Sequence, residues 1–138
     1  MNKMALLGTA IALALAASPV SAAERLRAGQ WEFTITHAGN GEATSFKHCI
    51  TAAEAGSVNG DTKSARAYAE KAAQAECKVT DYKLEGNTVS YAILCGAVSI
   101  RSTTTYNGDT SEGDLFSKRE GSAETVSHVK AKRLGDCP

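Results

Sequence analysis

Apolar and polar side chains alternate with a period of two along most of the chain, starting with Trp31, Phe33 and Ile35. Such alternation predicts strands that bury one face and leave the other in water. Seven segments fit the pattern, and the last has so few apolar residues that we expect it at a sheet edge. The predicted strands cover residues 30–37, 42–50, 77–84, 88–95, 97–106, 109–118 and about 123–133.

Short turns join neighbouring strands, which favours an antiparallel sheet. Gly86-Asn87 and Asn107-Gly108 are two-residue hairpin signals, and residues 38–41 form another turn cluster. In the Gly86-Asn87 hairpin, a slip by one residue would turn the apolar side chains to water, so the register is well specified. The expected cross-strand pairs are Leu84–Val89, Tyr82–Tyr91, Thr80–Ile93 and Ile100–Leu115.

The period changes between residues 51 and 76, which are rich in alanine. Asp61 or Ser64 is a suitable N-cap for a helix that runs to about Ala75. Because alanine buries little area, this helix is expected to depend on docking. The predicted fold class is mainly β: an antiparallel meander of about seven strands, forming a curved sheet or a partly open barrel, with one α-helical insertion and disulfide staples.

Residues 1–22 have the three parts of a cleavable signal peptide. Lys3 gives a positive start, the run Ala5–Ala17 is apolar, and Val20-Ser21-Ala22 supplies small residues before a cut after Ala22. The apolar run is shorter than the ~20 residues that a membrane span needs. We therefore expect export to the periplasm, a single β-rich domain over residues 23–138, and no integral membrane segment after cleavage.

The charge balance argues against a protein that relies on a basic surface. The chain has 15 basic and 15 acidic residues, and removal of Lys3 with the leader leaves a formal charge of −1. No basic field is therefore available to attract nucleic acid. Frequent threonine, serine and glycine suit short strands with polar outer faces.

Four cysteines in an exported chain indicate a disulfide framework, and four cysteines allow three connectivities. Cys49 and Cys77 lie at polar-face positions, whereas Cys95 lies on the apolar face of its strand. We expect Cys49–Cys77, closing the helical insertion, and Cys95–Cys137, tying down the C-terminus. A Cys77–Cys95 bond would instead show that the register of the intervening hairpin is wrong. The cysteine spacing resembles neither a zinc module nor a thioredoxin-like pair.

The sequence contains none of the common catalytic or nucleotide-binding motifs. His37 and His48 could approach each other across the first hairpin, with Glu42 nearby, but two histidines make a weak metal site. We therefore expect no metal and no cofactor. Ser127-His128 places its two side chains on opposite faces of a strand, which argues against a catalytic pair.

The apolar face of the sheet is the best candidate for a binding surface. If the sheet closes incompletely and the helix docks on it, this face lines a groove. The candidate ligand-facing residues are Trp31, Phe33, Phe46, His48 and Tyr91.

Several short motifs occur in an order that resembles a known family. They are Ala28-Gly29-Gln30-Trp31-Glu32, His48-Cys49-Ile50-Thr51, Cys77, Gly86-Asn87, Cys95, Gly108-Asp109 and Leu134-Gly135-Asp136-Cys137. The set resembles the proteobacterial envelope family labelled domain of unknown function 3617, whose members read P-G-x-W-E, then C-h-T (h apolar), then G-D/P-C; here Ala28 replaces the proline. The resemblance covers nearly the whole mature chain and implies a periplasmic β-rich domain with paired cysteines. It implies no activity, substrate or catalytic residue.

Three functions are compatible with these observations. The leading hypothesis is a non-enzymatic periplasmic domain that binds a small apolar ligand or an envelope partner. The alternative is a structural or stress-related protein whose sheet edge, expected at the last strand, pairs with another chain. A hydrolase using His48 with a carboxylate ranks third, because the sequence specifies no site geometry. An open apolar groove with converging polar groups would favour ligand capture, whereas a filled core would favour an interaction role.

Overall fold

The computed structural model describes residues 24–138, so the expected leader lies outside the described residues. The elements in chain order are β1 (Gly29–His37), β2 (Ala43–Ile50), α1 (Ala52–Asn59), α2 (Thr62–Ala72), β3 (Cys77–Glu85), β4 (Thr88–Cys95), β5 (Val98–Tyr106), β6 (Thr110–Arg119) and β7 (Thr125–Gly135). Every predicted strand is present, with its ends within two residues of the prediction. Between residues 24 and 138, no helix is long and apolar enough to cross a membrane.

All seven strands form one open antiparallel sheet in the order β2-β1-β7-β6-β5-β4-β3. The chain runs from β3 to β7 as a meander, and the β1–β2 hairpin extends the sheet beyond β7. The predicted fold class is confirmed, with two helices in place of one. The prediction that the last strand lies at an edge is wrong: β7 lies between β1 and β6, and the edges are β2 and β3. Backbone pairing decides this position, and the side-chain pattern does not encode it.

The buried core lies between α1 and the sheet face that carries Trp31, which we call the inner face. Trp31 has no exposed surface, and its Nε1–H donates to the backbone oxygen of Arg27 over 2.9 Å. The buried residues that pack with it are Leu26, Ile50, Ala55 and Ala131. Because two of these are alanines, the core is thin, and many other apolar residues of the inner face remain only half-buried.

Two short helices fill the connection between β2 and β3. Thr51 caps α1 by a reciprocal pair of hydrogen bonds: the Glu54 N–H donates to Thr51 Oγ1 and the Thr51 N–H donates to Glu54 Oε2. Asp61 caps α2, as predicted, by accepting from the Ser64 N–H over 2.8 Å. A single helix was predicted because the alanine-rich pattern runs through both helices. The backbone becomes extended at Gly60, however, so α1 ends there and α2 begins as a separate helix.

A bulge at Asp81 shifts the register of β3 against β4. Next to the Gly86-Asn87 turn, the pairing is as predicted. Asp81 then adopts a left-handed backbone with a φ of 52°, and one extra residue enters β3. Beyond the bulge every pair is displaced by one position, so Ile93 faces Val79 instead of the predicted Thr80.

Both predicted disulfide pairings, Cys49–Cys77 and Cys95–Cys137, are wrong. The displaced register places Cys77 opposite Cys95, with Cα atoms 4.3 Å apart, and these two are bonded. Cys49 is bonded to Cys137 because β7 lies beside β1, so the C-terminus passes the end of β1 and reaches β2. One bond therefore closes the β3–β4 hairpin and the other ties the C-terminus to an edge strand.

The turn between β5 and β6 is longer than the Asn107-Gly108 signal predicts. Ile100 faces Ser117 instead of the predicted Leu115, because the register is displaced by two residues. A displacement by two keeps the same side chains on the inner face. The segment before β1 holds this turn in place, since the Gly108 N–H donates to the backbone oxygen of Arg25 over 2.9 Å.

Candidate functional site

A cavity of about 300 Å³ lies between α2 and the inner face of β3 and β4; we call it the tyrosine cavity. It is lined by Val58, Ala65, Tyr68, Ala69, Ala72, Ala73, Tyr82, Val89, Tyr91, Ile93 and Tyr106. None of these lining residues is charged. An apolar lining with a few polar groups is typical of small-molecule sites, and this volume is at the lower end of their usual range of about 300–1,000 Å³.

All four tyrosines of the chain line this cavity. The rings of Tyr82 and Tyr91 are nearly parallel, with centroids 6.0 Å apart. The Tyr68 hydroxyl donates to Glu54 Oε1 over 3.2 Å. Among the hydrogen bonds of residues 24–138, none involves the hydroxyl of Tyr82, Tyr91 or Tyr106. No fully buried side-chain polar atom in this part of the chain lacks a partner, so these hydroxyls are accessible to a ligand or to water.

Burial raises the pKa of three of the cavity tyrosines, Tyr68, Tyr82 and Tyr106. Burial raises the pKa of Tyr106 to about 12, and the neighbouring tyrosines add to the rise. Burial is also the main cause of the raised pKa of Tyr68 and of Tyr82. A protonated phenol donates a hydrogen bond, so at neutral pH the cavity offers neutral donors.

A second cavity of about 250 Å³ adjoins the first on the inner face. Tyr91 and Tyr106 line both cavities, so a ligand in one contacts the wall of the other. The second cavity combines apolar side chains with hydroxyl groups. The apolar lining residues are Leu26, Trp31, Phe33, Ile50, Leu115 and Val129, and the hydroxyl-bearing ones besides the two tyrosines are Ser102, Thr104 and Ser111. Gly113 and the acidic Asp114 complete the lining.

The segment before β1 fixes the helices over the sheet. The Asn59 side chain makes two hydrogen bonds to the backbone of Leu26: Oδ1 accepts from the N–H over 2.9 Å and Nδ2 donates to the carbonyl oxygen over 2.8 Å. The Arg25 guanidinium donates to the carbonyl oxygens of Val58, Gly60 and Gly86. Arg25 thus joins the end of α1 to the β3–β4 turn. These contacts set the width of the gap in which the tyrosine cavity lies.

The five predicted ligand-facing residues all lie on the inner face, but only three line a cavity. Trp31 and Phe33 line the second cavity, and Tyr91 lines both. Phe46 lies on the edge strand with 48% of its surface exposed, and its ring stacks on Phe33 with centroids 5.2 Å apart. His48 is also exposed, on the same strand.

Of the four tyrosines that line the tyrosine cavity, sequence reasoning identified only Tyr91 and missed Tyr68, Tyr82 and Tyr106. The spacing of Ala65, Tyr68, Ala69 and Ala72 does indicate one side of a helix. The contacts of Arg25 and Asn59 determine which part of the sheet this side of the helix packs against. No pattern in the sequence predicts those contacts.

The histidines do not form a metal site. His48 faces Trp31, far along β1 from His37, and His37 Nδ1 instead lies 2.8 Å from Ser127 Oγ. The approach of His37 to His48 that the sequence left open does not occur. Within residues 24–138, no cluster of three or more histidine, cysteine or acidic side chains has metal-binding geometry.

His48 does have a carboxylate nearby, as the hydrolase hypothesis requires. Its Nε2 lies 3.6 Å from Glu54 Oε1. That carboxylate belongs to the capping box of α1, in which it accepts from the Thr51 N–H, and this backbone hydrogen bond is the largest cause of its lowered pKa. Among the described hydrogen bonds, none links His48 to a serine, threonine or cysteine that would serve as nucleophile.

The opposite face of the sheet carries a polar groove of about 430 Å³. Charges of both signs line it: Glu32, Glu112, Lys130 and Lys132. Lys132 Nζ lies 3.3 Å from Glu32 Oε1; the lysine is largely exposed and the glutamate partly exposed. Paired, solvated charges of this kind are typical of an outer sheet face, so we place the candidate site on the inner face.

Comparison with known proteins identifies a family for this chain. A family model described as "Protein of unknown function (DUF3617)" matches residues 26–137. No curated protein and no solved structure matches the chain. The matched residues include both disulfides and every strand of the sheet.

Proposed function

We propose that this chain, which belongs to the family described as "Protein of unknown function (DUF3617)", is an exported, non-enzymatic domain that binds a small apolar ligand. The ligand lies in the tyrosine cavity and extends toward the second cavity past Tyr91 and Tyr106. The observation that carries this proposal is the tyrosine cavity beneath α2, whose lining is uncharged. The hydroxyls of Tyr82, Tyr91 and Tyr106 line it without a hydrogen-bond partner in the described part of the protein. The leader pattern at residues 1–22 supports a periplasmic location.

The lining of the tyrosine cavity defines the chemistry of the ligand. An ionised group placed there would lose its hydration, and no residue of the lining carries a charge that would compensate it, which costs several kcal/mol. A neutral molecule with an oxygen acceptor matches the hydroxyls of Tyr82, Tyr91 and Tyr106, which donate. We therefore propose a neutral, mainly hydrocarbon ligand that carries a carbonyl or ether oxygen.

The inner face is also not a filled core, which favours ligand capture over a purely structural role. Phe33, Tyr91, Ile93 and Leu115 are only half-buried, although all four line one of the two cavities. Apolar area that folding leaves in water is available to stabilise a bound ligand, at about 25 cal/mol for each Å² that the ligand covers.

A fluorescence titration with the neutral apolar probe N-phenyl-1-naphthylamine tests the proposal. The protein is prepared with both disulfides formed. We expect saturable binding of one probe per chain and a rise in melting temperature at saturation, since a ligand of the native state stabilises it. The absence of saturable binding would refute a small-molecule role.

Two alanines of α2 provide matched variants for this titration. Ala69 lines the tyrosine cavity, whereas Ala67 lies on the exposed side of the same helix. We expect Ala69→Leu to fill the cavity and weaken probe binding at least tenfold, and Ala67→Leu to leave it within about twofold. Equal affinities of the two variants would place the probe elsewhere. A far-ultraviolet spectrum of each variant checks that the helix persists.

A further inference from the structure

The two edges of the sheet differ in how open they are to another strand. Residues 43–48 of β2 are all exposed, and the register of β2 against β1 is uninterrupted over eight pairs. The opposite edge, β3, is broken by the bulge at Asp81 and packs against α2. A regular, uncovered edge strand without proline or a bulge presents a row of free backbone groups that can pair with a further strand.

The hydrogen-bond pattern defines which groups of β2 are free. The His37 N–H donates to the Glu42 carbonyl oxygen over 2.9 Å. Hydrogen-bonded pairs alternate along an antiparallel ladder, so the even-numbered residues of β2 direct their backbone groups toward β1. The N–H and C=O groups of Ala43, Ser45 and Lys47 therefore point outward. The next outward-pointing residue is Cys49, at the end of β2, where its disulfide bond to Cys137 lies beside the strand. The open stretch of β2 is therefore residues 43–47.

We propose that this stretch pairs antiparallel with the same stretch of a second copy of the chain, about a twofold axis at Ser45. In this register Ser45 faces the second copy's Ser45, and Ala43 faces the second copy's Lys47. All three outward-pointing residues of each chain are then paired, and each pair exchanges two backbone hydrogen bonds. The result is one continuous sheet across both copies.

The side chains favour this register over its neighbours. Glu42 faces the second copy's His48, which pairs a carboxylate with a weak base. The two Lys47 side chains lie roughly 14 Å apart along the strands, at about 3.4 Å per residue. Registers displaced toward Lys47 would bring the two lysines to diagonal or facing positions, and like charges there are destabilising. Registers displaced toward Ala43 leave fewer outward groups paired.

The exposed aromatic ring on β2 gains a partner in the same arrangement. Phe46 is 48% exposed and stacks on Phe33. Its diagonal neighbour across the axis is the second copy's Phe46, at about 7–8 Å between backbone positions, which is within reach of aromatic side chains. The stack on the inner face would then continue from one copy into the other. Pairing thus buries an apolar ring that the single chain leaves in water.

Sedimentation equilibrium from micromolar to near-millimolar protein tests the pairing. We expect a monomer–dimer equilibrium in the wild-type chain. Ser45→Pro removes an outward N–H that the single chain does not use, and proline is tolerated at such positions. We expect it to weaken dimerisation at least tenfold while the melting temperature of the dilute protein changes little. The matched Ser45→Ala retains the N–H and is expected to dimerise like the wild type.

Cross-linking tests the register independently of proline. Facing residues of a hydrogen-bonded pair have Cα atoms about 5.5 Å apart, within the range that a disulfide spans. Under mild oxidation we expect Ser45→Cys to form a covalent dimer. We expect Thr44→Cys to remain largely monomeric, because residue 44 of one copy lies diagonally across from residue 44 of the other and does not face it. A wild type that stays monomeric at all concentrations would overturn the proposal, as would a dimer that Ser45→Pro leaves unchanged or equal cross-linking of both cysteine variants.

Discussion

Cys77 faces Cys95 directly across the β3–β4 hairpin because Asp81 adds one residue to β3. Without the bulge, the register next to the turn would continue and place Lys78 opposite Cys95. The disulfide therefore depends on a single residue that adopts a left-handed backbone four positions from Cys77. This hairpin also carries Tyr82 and Tyr91, so the bulge and the bond together position one wall of the tyrosine cavity.

The bulge gives a first test of local stability. A β-branched side chain is poorly accommodated at the φ of Asp81, so we expect Asp81→Val to lower the free energy of unfolding by about 1–2 kcal/mol. Asp81→Gly tolerates this φ and is expected to stay within about 1 kcal/mol of the wild type. Urea denaturation measures both variants. A valine variant as stable as the glycine variant would contradict the assigned conformation.

The two disulfides are expected to differ in their contribution to stability. Cys49 and Cys137 are 88 residues apart, and Cys77 and Cys95 are 18 apart. In the chain-entropy treatment, loops of these sizes correspond to about 4–5 and about 3 kcal/mol. We therefore expect the Cys49→Ala/Cys137→Ala variant to melt at a lower temperature than Cys77→Ala/Cys95→Ala. Peptide mapping of the unreduced protein checks the connectivity, and a Cys49–Cys77 peptide would contradict it.

The raised pKa of Tyr106 predicts a fall in stability at high pH. The folded-state pKa of about 12 exceeds the ordinary value of 10.0, so folding favours the protonated form. The contribution is fully present below pH 10 and is lost as the pH rises from 10 toward 12. Tyr68 and Tyr82 change in the same direction. We expect Tyr106→Phe to flatten this part of the stability profile, and an unchanged slope would contradict burial of the hydroxyl.

The thin core makes one side chain unusually important. Trp31 is fully buried, and its closest buried companions include two alanines, which contribute little area of their own. We expect Trp31→Ala to lower the free energy of unfolding by about 3–5 kcal/mol, the range for large-to-small changes at buried aromatics. The control is Leu94→Ala, where 45% of the residue's surface is exposed and a change within about 0.5 kcal/mol is expected. Similar losses in both variants would contradict the placement of the core.

The strands were predictable from the sequence, but their neighbours were not. Alternation along 30–37 and 88–95 reports which side chains share a face, because the period of a strand is two. It does not report that β1 pairs with β7, a contact between segments about 100 residues apart. The predicted position of β7 at an edge was wrong for this reason.

The disulfides were predicted wrongly for a related reason. A bulge is usually sought at a glycine, but here the left-handed residue is Asp81, whose short polar side chain tolerates that conformation. One unrecognised residue displaced the register and reversed the inference about Cys77 and Cys95. The pairing of Cys49 with Cys137 also required the β1–β7 contact, which the sequence pattern does not contain.

The candidate site was predictable in part. Face parity placed Trp31, Phe33 and Tyr91 correctly on the inner face, and these residues do line the cavities. The same alternation also placed Phe46 and His48 among the candidate ligand-facing residues. The pattern shows which face a side chain lies on, but it does not show whether the strand lies at the edge of the sheet. Tyr68 and Tyr106 enter the site through the docking of α2 and the packing of β5, which are tertiary contacts.

Aromatic-ring NMR of the protein titrated with N-phenyl-1-naphthylamine tests the central claim most directly, because it locates the bound ligand residue by residue. The account predicts progressive, saturable shifts of the ring signals of Tyr82, Tyr91 and Tyr106. Phe116, which lies under Arg101 on the outer face, should not respond. Tyrosine signals that stay fixed at full probe occupancy, or shifts that are largest at Phe116, would contradict a ligand site between α2 and the inner face.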